Sequence, residues 1–406
     1  MKTILPKIKF KNFYEKWNRK KLQRIAPLRG GFAFKSEKFQ KCGVPIVRIS
    51  NIKFDGTVGG EFEYYSKINS DEKFVLRGRS ILLAMSGATT GKIAMLDSEE
   101  EYYQNQRVGY FQNTGAVDYD FLSSILQTKE FTNQLNSVLV AGAQPNISSK
   151  EIDSFVFYIP ESLEEQSAIG TLLRTLDDLL SSYKDNLTNY QSLKATMLSN
   201  MFPKAGQTVP EIRLDGFEGE WELIKLGDFC ELITKGTTGK SQSEQGKVNF
   251  VKVENLKDNE IYPIVKISEE EHFGSLKRSI LYEGDILFSI AGTLGRTAIV
   301  KNNILPANTN QALAIIRGYK LDAYFLLVVL SGEVVKDYIR KNPTVGAQPN
   351  LSLEQVSSLK IKIPSLVEQR AIGAYFSNLD NLIKSYQEKI SQLETLKKKL
   401  LQDMFI

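Results

Sequence analysis

The strongest constraint on this 406-residue chain is that it states most of its sequence twice. Gly142-Ala-Gln-Pro-Asn146 returns 204 residues later as Gly346-Ala-Gln-Pro-Asn350, and Ile159-Pro160 returns as Ile363-Pro364. Glu165-Gln166 with Ala168-Ile169-Gly170 becomes Glu368-Gln369 with Ala371-Ile372-Gly373. Leu176-Asp177 matches Leu379-Asp380, Met201-Phe202 matches Met404-Phe405, and Trp17 matches Trp221. A repeat this long exceeds the roughly 20–50 residues of a solenoid unit. The chain is therefore expected to fold as two whole domains of one kind. The tails are the more alike; the front parts keep their pattern and change their letters.

Each front part reads as a mixed α+β domain. Short β-branched runs at 44–49, 81–85, 248–253 and 285–290, set off by glycine-containing turns, predict strands, and helical patches are expected over 119–139 and 321–340. Each tail begins with a strand ending at Pro160 or Pro364 and continues as one helix capped by Ser162 or Ser365, with acidic residues in its first turn. Apolar residues then recur at helical spacing. The first stripe runs through Ile169, Leu172, Leu176, Leu179, Tyr183, Leu187, Tyr190, Leu193, Met197 and Met201. The second runs through Ile372, Phe376, Leu379, Ile383, Tyr386, Ile390, Leu393 and Leu400. Nearly forty residues make a rod of roughly 55–60 Å, longer than the about 35 Å width of such a front domain. A seam of that length needs a partner. The two helices are expected to pair with each other as an antiparallel coiled coil, rather than lie over their own front domains. The pairing residues would be Leu176, Tyr183, Tyr190 and Met197 on the first helix, and Leu379, Tyr386, Leu393 and Leu400 on the second. The boundaries drawn this way are 1–160 and 204–364 for the front domains, and 161–203 and 365–406 for the helices.

Composition narrows the chemistry. The single histidine, His272, in a Glu-Glu-Glu-His stretch, provides for neither a Ser–His–Asp site in each repeat nor a His/Cys metal cage, and it reads as a surface residue. Cys42 and Cys230 are not at equivalent positions and read as thiols of a reducing cytoplasm. No run of eighteen apolar residues could span a bilayer, and the N-terminus lacks the apolar core of a signal peptide. The first thirty residues carry ten cations against Glu15 alone. Such a cluster fits either phosphate contact or a solvated basic arm.

Two Gly-Lys segments imitate a phosphate-binding P-loop and fall short of it. Thr234-Lys-Gly-Thr-Thr-Gly-Lys240-Ser241 lacks the leading glycine and any following helix signal, and Ser86-Gly-Ala-Thr-Thr-Gly-Lys92 has Ile93 where a hydroxyl should stand. Ser86–Lys92 and its counterpart ending in Arg296 share two glycines and then a cation after an apolar strand. They suit either close approach to a nucleic-acid backbone or a tight strand–strand turn. Gln144-Pro-Asn146 and Gln348-Pro-Asn350 could pair with adenine or form a structural Asx-type turn docking the front domain onto the helix. Glu164-Glu165 and Asp177-Asp178 are expected on a solvated helix face. No methyltransferase Asn/Asp-Pro-Pro-Tyr motif and no dinucleotide-binding fingerprint is present.

The order of these motifs, given twice, resembles the specificity (S) subunit of type I restriction-modification enzymes. The resemblance rests on Gly30-Gly-Phe-Ala-Phe-Lys-Ser36, Val47-Arg-Ile-Ser-Asn-Ile52, Ser86–Lys92 and Asn105-Gln106. In both repeats it also rests on Gly-Ala-Gln-Pro-Asn, on Ile-Pro followed by Glu-Gln-x-Ala-Ile-Gly, and on the long helix. It implies a tandem pseudo-two-fold α+β architecture of two target recognition domains joined by an antiparallel helical spacer. Each domain would read half of a split, asymmetric double-stranded DNA site. The chain would be non-catalytic, without cofactor of its own. Two methyltransferase subunits would bring S-adenosylmethionine and methylate a flipped adenine, and restriction subunits would bring ATP and Mg. Candidate DNA contacts are Lys35, Arg48, Asn51, Lys92 and Arg107 in the first repeat, and Lys240, Lys252, Asn255, Arg296 and Gln311 in the second. A protein-binding scaffold and an NTP-binding protein using Lys240 are the alternatives.

Overall fold

A computed structural model of the chain describes residues 6–68, 72–140, 146–239, 246–342 and 350–406. Its contacts divide into two units: Met1–Lys184 with Glu388–Ile406, and Asp185–Gln387. Each unit therefore holds one front domain and part of both long helices, Leu163–Asn200 and Leu366–Asp403.

The core strand of each front domain is a continuous apolar run, as expected where both sheet faces are covered. In the first unit Ser80–Ala84 is wholly buried and lies between Val108–Phe111 and Ile93–Leu96, with Leu28–Gly30 at the far edge. In the second, Ile286–Ser289 lies likewise between Leu313–Arg317 and Thr297–Ile299, with Leu232–Lys235 at the edge. A second sheet in each unit contains a parallel pair, Val44–Val47 with Tyr102–Gln104 and Val248–Val251 with Ala307–Thr309. The strand before each long helix closes its unit by pairing antiparallel with an early strand, Val156–Ile159 with Asn18–Lys21 and Lys360–Ile363 with Glu222–Lys225.

The two expected helical patches are each broken in two. Tyr119–Ile125 gives way to Lys129–Val140 at Thr128, whose Oγ1 donates to the Ile125 carbonyl and accepts from Phe131 N. Ala323–Ser331 gives way to Glu333–Lys341 at Gly332. Ser162 and Ser365 cap the long helices as expected, each accepting at Oγ from the backbone of Glu165 or Glu368.

The seam of the second long helix is the expected one, with Ile372, Phe376, Leu379, Ile390 and Leu393 buried. That of the first differs at two positions: Ile169 and Leu176 are buried as expected, but Leu173 and Leu180 are buried in place of Leu172 and Leu179, the latter 38% exposed. The doublets Leu172-Leu173 and Leu179-Leu180 offer two equally apolar stripes, and only tertiary packing chooses between them. The helices do pair antiparallel within each unit. In the first, Lys184 meets Glu394 at 2.8 Å and Lys397 pairs with Asp177, beside buried Leu176 and Leu393 and half-buried Tyr183 and Leu400. In the second, Lys194 pairs with Asp380, Tyr190 lies 5.4 Å from Tyr386, and half-buried Met197 packs on the core that contains Leu379. Lys194 and Lys397 occupy equivalent seam positions, so the two units share this charged rung, and Lys184–Glu394 is a further pair of the first unit.

Pairing is not the whole arrangement, contrary to expectation. Ile372, Phe376 and Leu379 also belong to the core of the second front domain, with Trp221 and Phe325. Phe202 packs there too, 5.8 Å from Trp221, while in the first unit Phe405 lies 6.1 Å from Trp17 and 5.4 Å from Phe121. Mid-helix glycines permit the close approach. A Cβ at Gly170 would stand 2.5 Å from Phe121 N and 2.8 Å from Oδ1 of Asp118, which caps Tyr119–Ile125. Gly373 faces Phe325 N at 3.0 Å in the same way.

Two expectations about polar residues are corrected. Glu165 is buried, not solvated, and its Oε1 accepts from Trp17 Nε1 at 3.1 Å. Gln166 is buried beside it and bridges Pro160 O and Asp118 N; Gln369 bridges Pro364 O and Asp322 N identically. This explains the repeated Glu-Gln: it clamps the helix start onto its front domain. His272 is also buried, 2.5 Å from Asn308 Oδ1, because the short helix Glu269–Phe273 turns its acidic side chains outward and the histidine in.

Candidate nucleic-acid interface

Four loops converge at one edge of the first front domain, and backbone hydrogen bonds hold them together. Phe32 N donates to Gln104 O and Gln106 N to Phe32 O, at 2.9 and 2.8 Å; Asn105 N reaches Val47 O at 3.1 Å, and Met85 N reaches Arg107 O at 2.9 Å. Thr89 Oγ1 donates to Ile49 O at 3.3 Å, tying the glycine turn to the turn after Arg48. The segments bearing Lys35, Arg48, Lys92 and Arg107 thus form one cluster, although they are far apart in sequence. The second front domain repeats the pattern. Gly236 N bonds to Leu313 O and Thr237 N to Thr309 O, both at 3.1 Å, Asn310 N bonds to Val251 O at 3.2 Å, and Ile290 N bonds to Ala312 O at 2.8 Å.

The side chains differ in availability. Lys35, Arg107, Arg296 and Gln311 are exposed; Arg48, Lys92 and Lys252 are half-buried. Arg48 is drawn toward Glu63 at 3.4 Å and stands over the Phe39 ring. Arg296 donates through Nη1 to Val253 O and Leu256 O at 3.3 and 3.4 Å, which orients the guanidinium without neutralising it. Lys240 lies outside the described residues.

Asn51 and Asn255 are corrections. Both are buried, at 1% and 3% exposure. Asn51 accepts from Arg48 N at 3.0 Å and donates to Gly59 O and Glu61 O, and Asn255 accepts from Lys252 N at 2.8 Å. A buried amide meets its hydrogen-bonding needs within the fold, so these residues shape the loops instead of reading bases.

The glycine turns are tight connections in both units. Gly87, Gly91, Gly292 and Gly295 all have φ between 75 and 85°, the left-handed region that glycine occupies without cost. Asn146 and Asn350 bridge to Ser86 and Ala291 beside these turns, so this end of each Gln-Pro-Asn motif joins the loop cluster and not the helix. The rest of both motifs lies outside the described residues.

One side chain at this edge had no periodic signal. Phe54, at the tip of the hairpin closed by the Ile52–Val58 bridge, is 90% exposed, and the Lys92 ammonium lies over its ring. A lone phenylalanine between Lys53 and Asp55 in a turn was the available clue. Asp55 accepts from Thr57 N and Oγ1, and these bonds hold its carboxyl below the usual range.

The arrangement supplies cations, rotatable amides and an aromatic face on rigid turns, the set that contacts phosphates and base edges. Among the described residues no cluster of His, Cys, Asp and Glu could hold a metal ion, and no helix is long and apolar enough to cross a membrane.

Both repeats match the family described as type I restriction modification DNA specificity domain, over residues 14–189 and 218–395. The type I restriction enzyme EcoBI specificity subunit of Escherichia coli is 23% identical over 435 residues, covering 97% of this chain and 86% of that protein. The MjaVIII specificity subunit of Methanocaldococcus jannaschii is 23% identical over 342 residues, covering 82% of this chain and 79% of that protein. The S subunit of a type I restriction-modification system from M. genitalium has the same fold, with a TM-score of 0.67 over 99% of each chain at 17% identity. The chain therefore belongs to the type I restriction modification DNA specificity family, carries its domain twice, and is a non-catalytic specificity subunit with DNA-recognition domains.

Proposed function

We propose that each front domain reads one half of a bipartite, asymmetric DNA site, and that the paired helices set the gap between the halves. The observation that carries this reading is the duplicated loop cluster. Its backbone bonds recur in both units while its exposed side chains differ, as two readers of unlike half-sites require. Lys35, Arg107 and Arg296 would meet phosphate, Gln311 and Arg48 would meet base edges, and Phe54, with the Lys92 ammonium over its ring, would contact a base face. Two methyltransferase subunits would dock on the equivalent surfaces of the repeats and bring S-adenosylmethionine. Restriction subunits carrying ATP and Mg would join through them in the cytoplasm.

The test is a footprint of the chain assembled with its methyltransferase partner, together with mapping of methylated adenines in the host genome with and without this gene. One protected sequence with two separated halves, coinciding with the lost methylation, is the expected result. Assembly without a preferred sequence would favour a protein scaffold instead. ATP binding by the purified chain alone at millimolar concentration would favour the nucleotide-binding alternative.

A further inference from the structure

We propose that Glu260 is a positioning residue that braces the second front domain against the second long helix, and so sharpens the half-site spacing the protein accepts. This rests on the bipartite reading above. Glu260 opens the return strand of the hairpin formed by Leu256–Lys257 and Glu260–Ile261, whose two turn residues, Asp258 and Asn259, have φ of 51 and 60°. Its Oε2 accepts from Lys384 on the long helix at 2.8 Å and from Tyr262 Oη at 2.9 Å; its Oε1 accepts from Lys301 at 3.1 Å. These donors, Lys384 foremost, hold its carboxyl at about 2, so it is charged throughout the working range.

The hairpin is stiff on its other side. Leu256 and Ile261 are buried in the core with Val251 and Leu287, and Thr297 Oγ1 donates to Asn259 at 3.0 Å. At its base Tyr262 N bonds to Asn255 O, and Leu256 O accepts from Arg296 of the candidate interface. A short rigid path thus links Lys384 on the helix to Arg296 and Lys252 on the DNA-facing loops.

Between the helix pair and the domain lies an open cleft of about 350 Å³, lined by Gln191 of the first long helix and Asp380 and Lys384 of the second on one side, and by Asp258, Glu260 and Tyr324 on the other. The apolar contact of the second long helix with the front domain runs through Ile372, Phe376 and Leu379, and the Glu260–Lys384 bridge spans the cleft beyond it. A contact at one end and a strut farther along fix an angle, where a contact alone leaves a pivot. In the hairpin of the first unit Asp55 accepts from Thr57 at Oδ1 and also feels the charge of Lys184 on the first long helix, which pairs with Glu394 of the neighbouring helix. An exposed ion pair contributes little to stability, so the effect belongs in geometry and not in melting temperature.

The experiment uses the full chain assembled with its methyltransferase subunits, on DNA whose half-sites are identical but whose gap is varied one base pair at a time. Glu260→Gln, Lys384→Met and the double variant are compared with wild type. Expected is a loss of about tenfold in discrimination between the cognate gap and its neighbours. The singles should match, the double should be no worse than either, and preference within each half-site should be unchanged. Wild-type gap discrimination in either single variant, or additive losses in the double, would overturn the brace. A wild-type complex indifferent to the gap would instead overturn the bipartite reading itself.

Discussion

At the scale of single residues, the two repeats solve one problem in two ways. Glu165 and Glu368 are equivalent and equally buried, yet Glu165 accepts from an indole while Glu368 is gripped by Arg213 through Nε and Nη2, both at 2.8 Å. Trp221 Nε1, equivalent to the indole donor, has no partner among the described residues. Burial pushes the Glu165 carboxyl above its ordinary value. A raised carboxyl binds its proton more tightly in the folded state, so its contribution is most favourable at low pH and is lost as pH rises through the folded value. Glu165→Gln removes the buried charge and keeps the acceptor; we expect its stability near neutral pH to lie within about 1 kcal/mol of wild type. Glu368→Gln takes the carboxylate from a half-buried guanidinium that keeps its bonds to Glu218 O and Gly219 O, and should cost about 1.5–3 kcal/mol. Thermal unfolding of the two variants side by side checks the contrast, and equal losses would contradict it.

At the scale of elements, the mid-helix glycines are the sharpest case of tertiary contact overriding propensity. In a solvated helix, glycine to alanine gains up to about 1 kcal/mol. At Gly170 the added methyl would stand 2.5 Å from Phe121 N and disturb the Asp118 cap, which accepts from that same nitrogen at 2.8 Å. Gly170→Ala should therefore lose roughly 1–3 kcal/mol. A gain in denaturant midpoint would show that this helix–helix contact yields easily. The repeated Ala-Ile-Gly was visible in the sequence, but its reason was not, since the atoms that demand glycine come from a helix some fifty residues earlier.

At the scale of the whole molecule, the proposed function makes the helix pair a ruler graduated in heptads. The seam alternates steps of four and three residues, Ile372, Phe376 and Leu379 or Ile169, Leu173, Leu176 and Leu180, so only whole heptads inserted into both helices preserve it. Seven residues added to each, near Lys194 and its antiparallel counterpart Asp380, lengthen the rod by about 10 Å, or roughly three base pairs. The gap in the recognised DNA should grow by that amount while both half-sites stay the same. Four residues added to the first helix alone misalign its seam against the unchanged partner and should abolish binding. An unchanged gap after the heptad insertion would remove the ruler.

Local pattern was enough to establish two α+β domains, two long serine-capped helices, an antiparallel partnership between them, and the segments that form the loop cluster. These follow from periodicity, caps and turns, which depend on neighbours in sequence. The direction a residue faces depends on atoms far along the chain. Packing alone selected Leu173 and Leu180 over Leu172 and Leu179, turned Asn51, Asn255, Glu165 and His272 inward, and left Phe54 in solvent. Convergence of the four loops rests on backbone bonds between separate strands, and the Glu260 brace joins residues 124 positions apart. No local pattern encodes such distances; only burial of a common core brings those groups within hydrogen-bonding range.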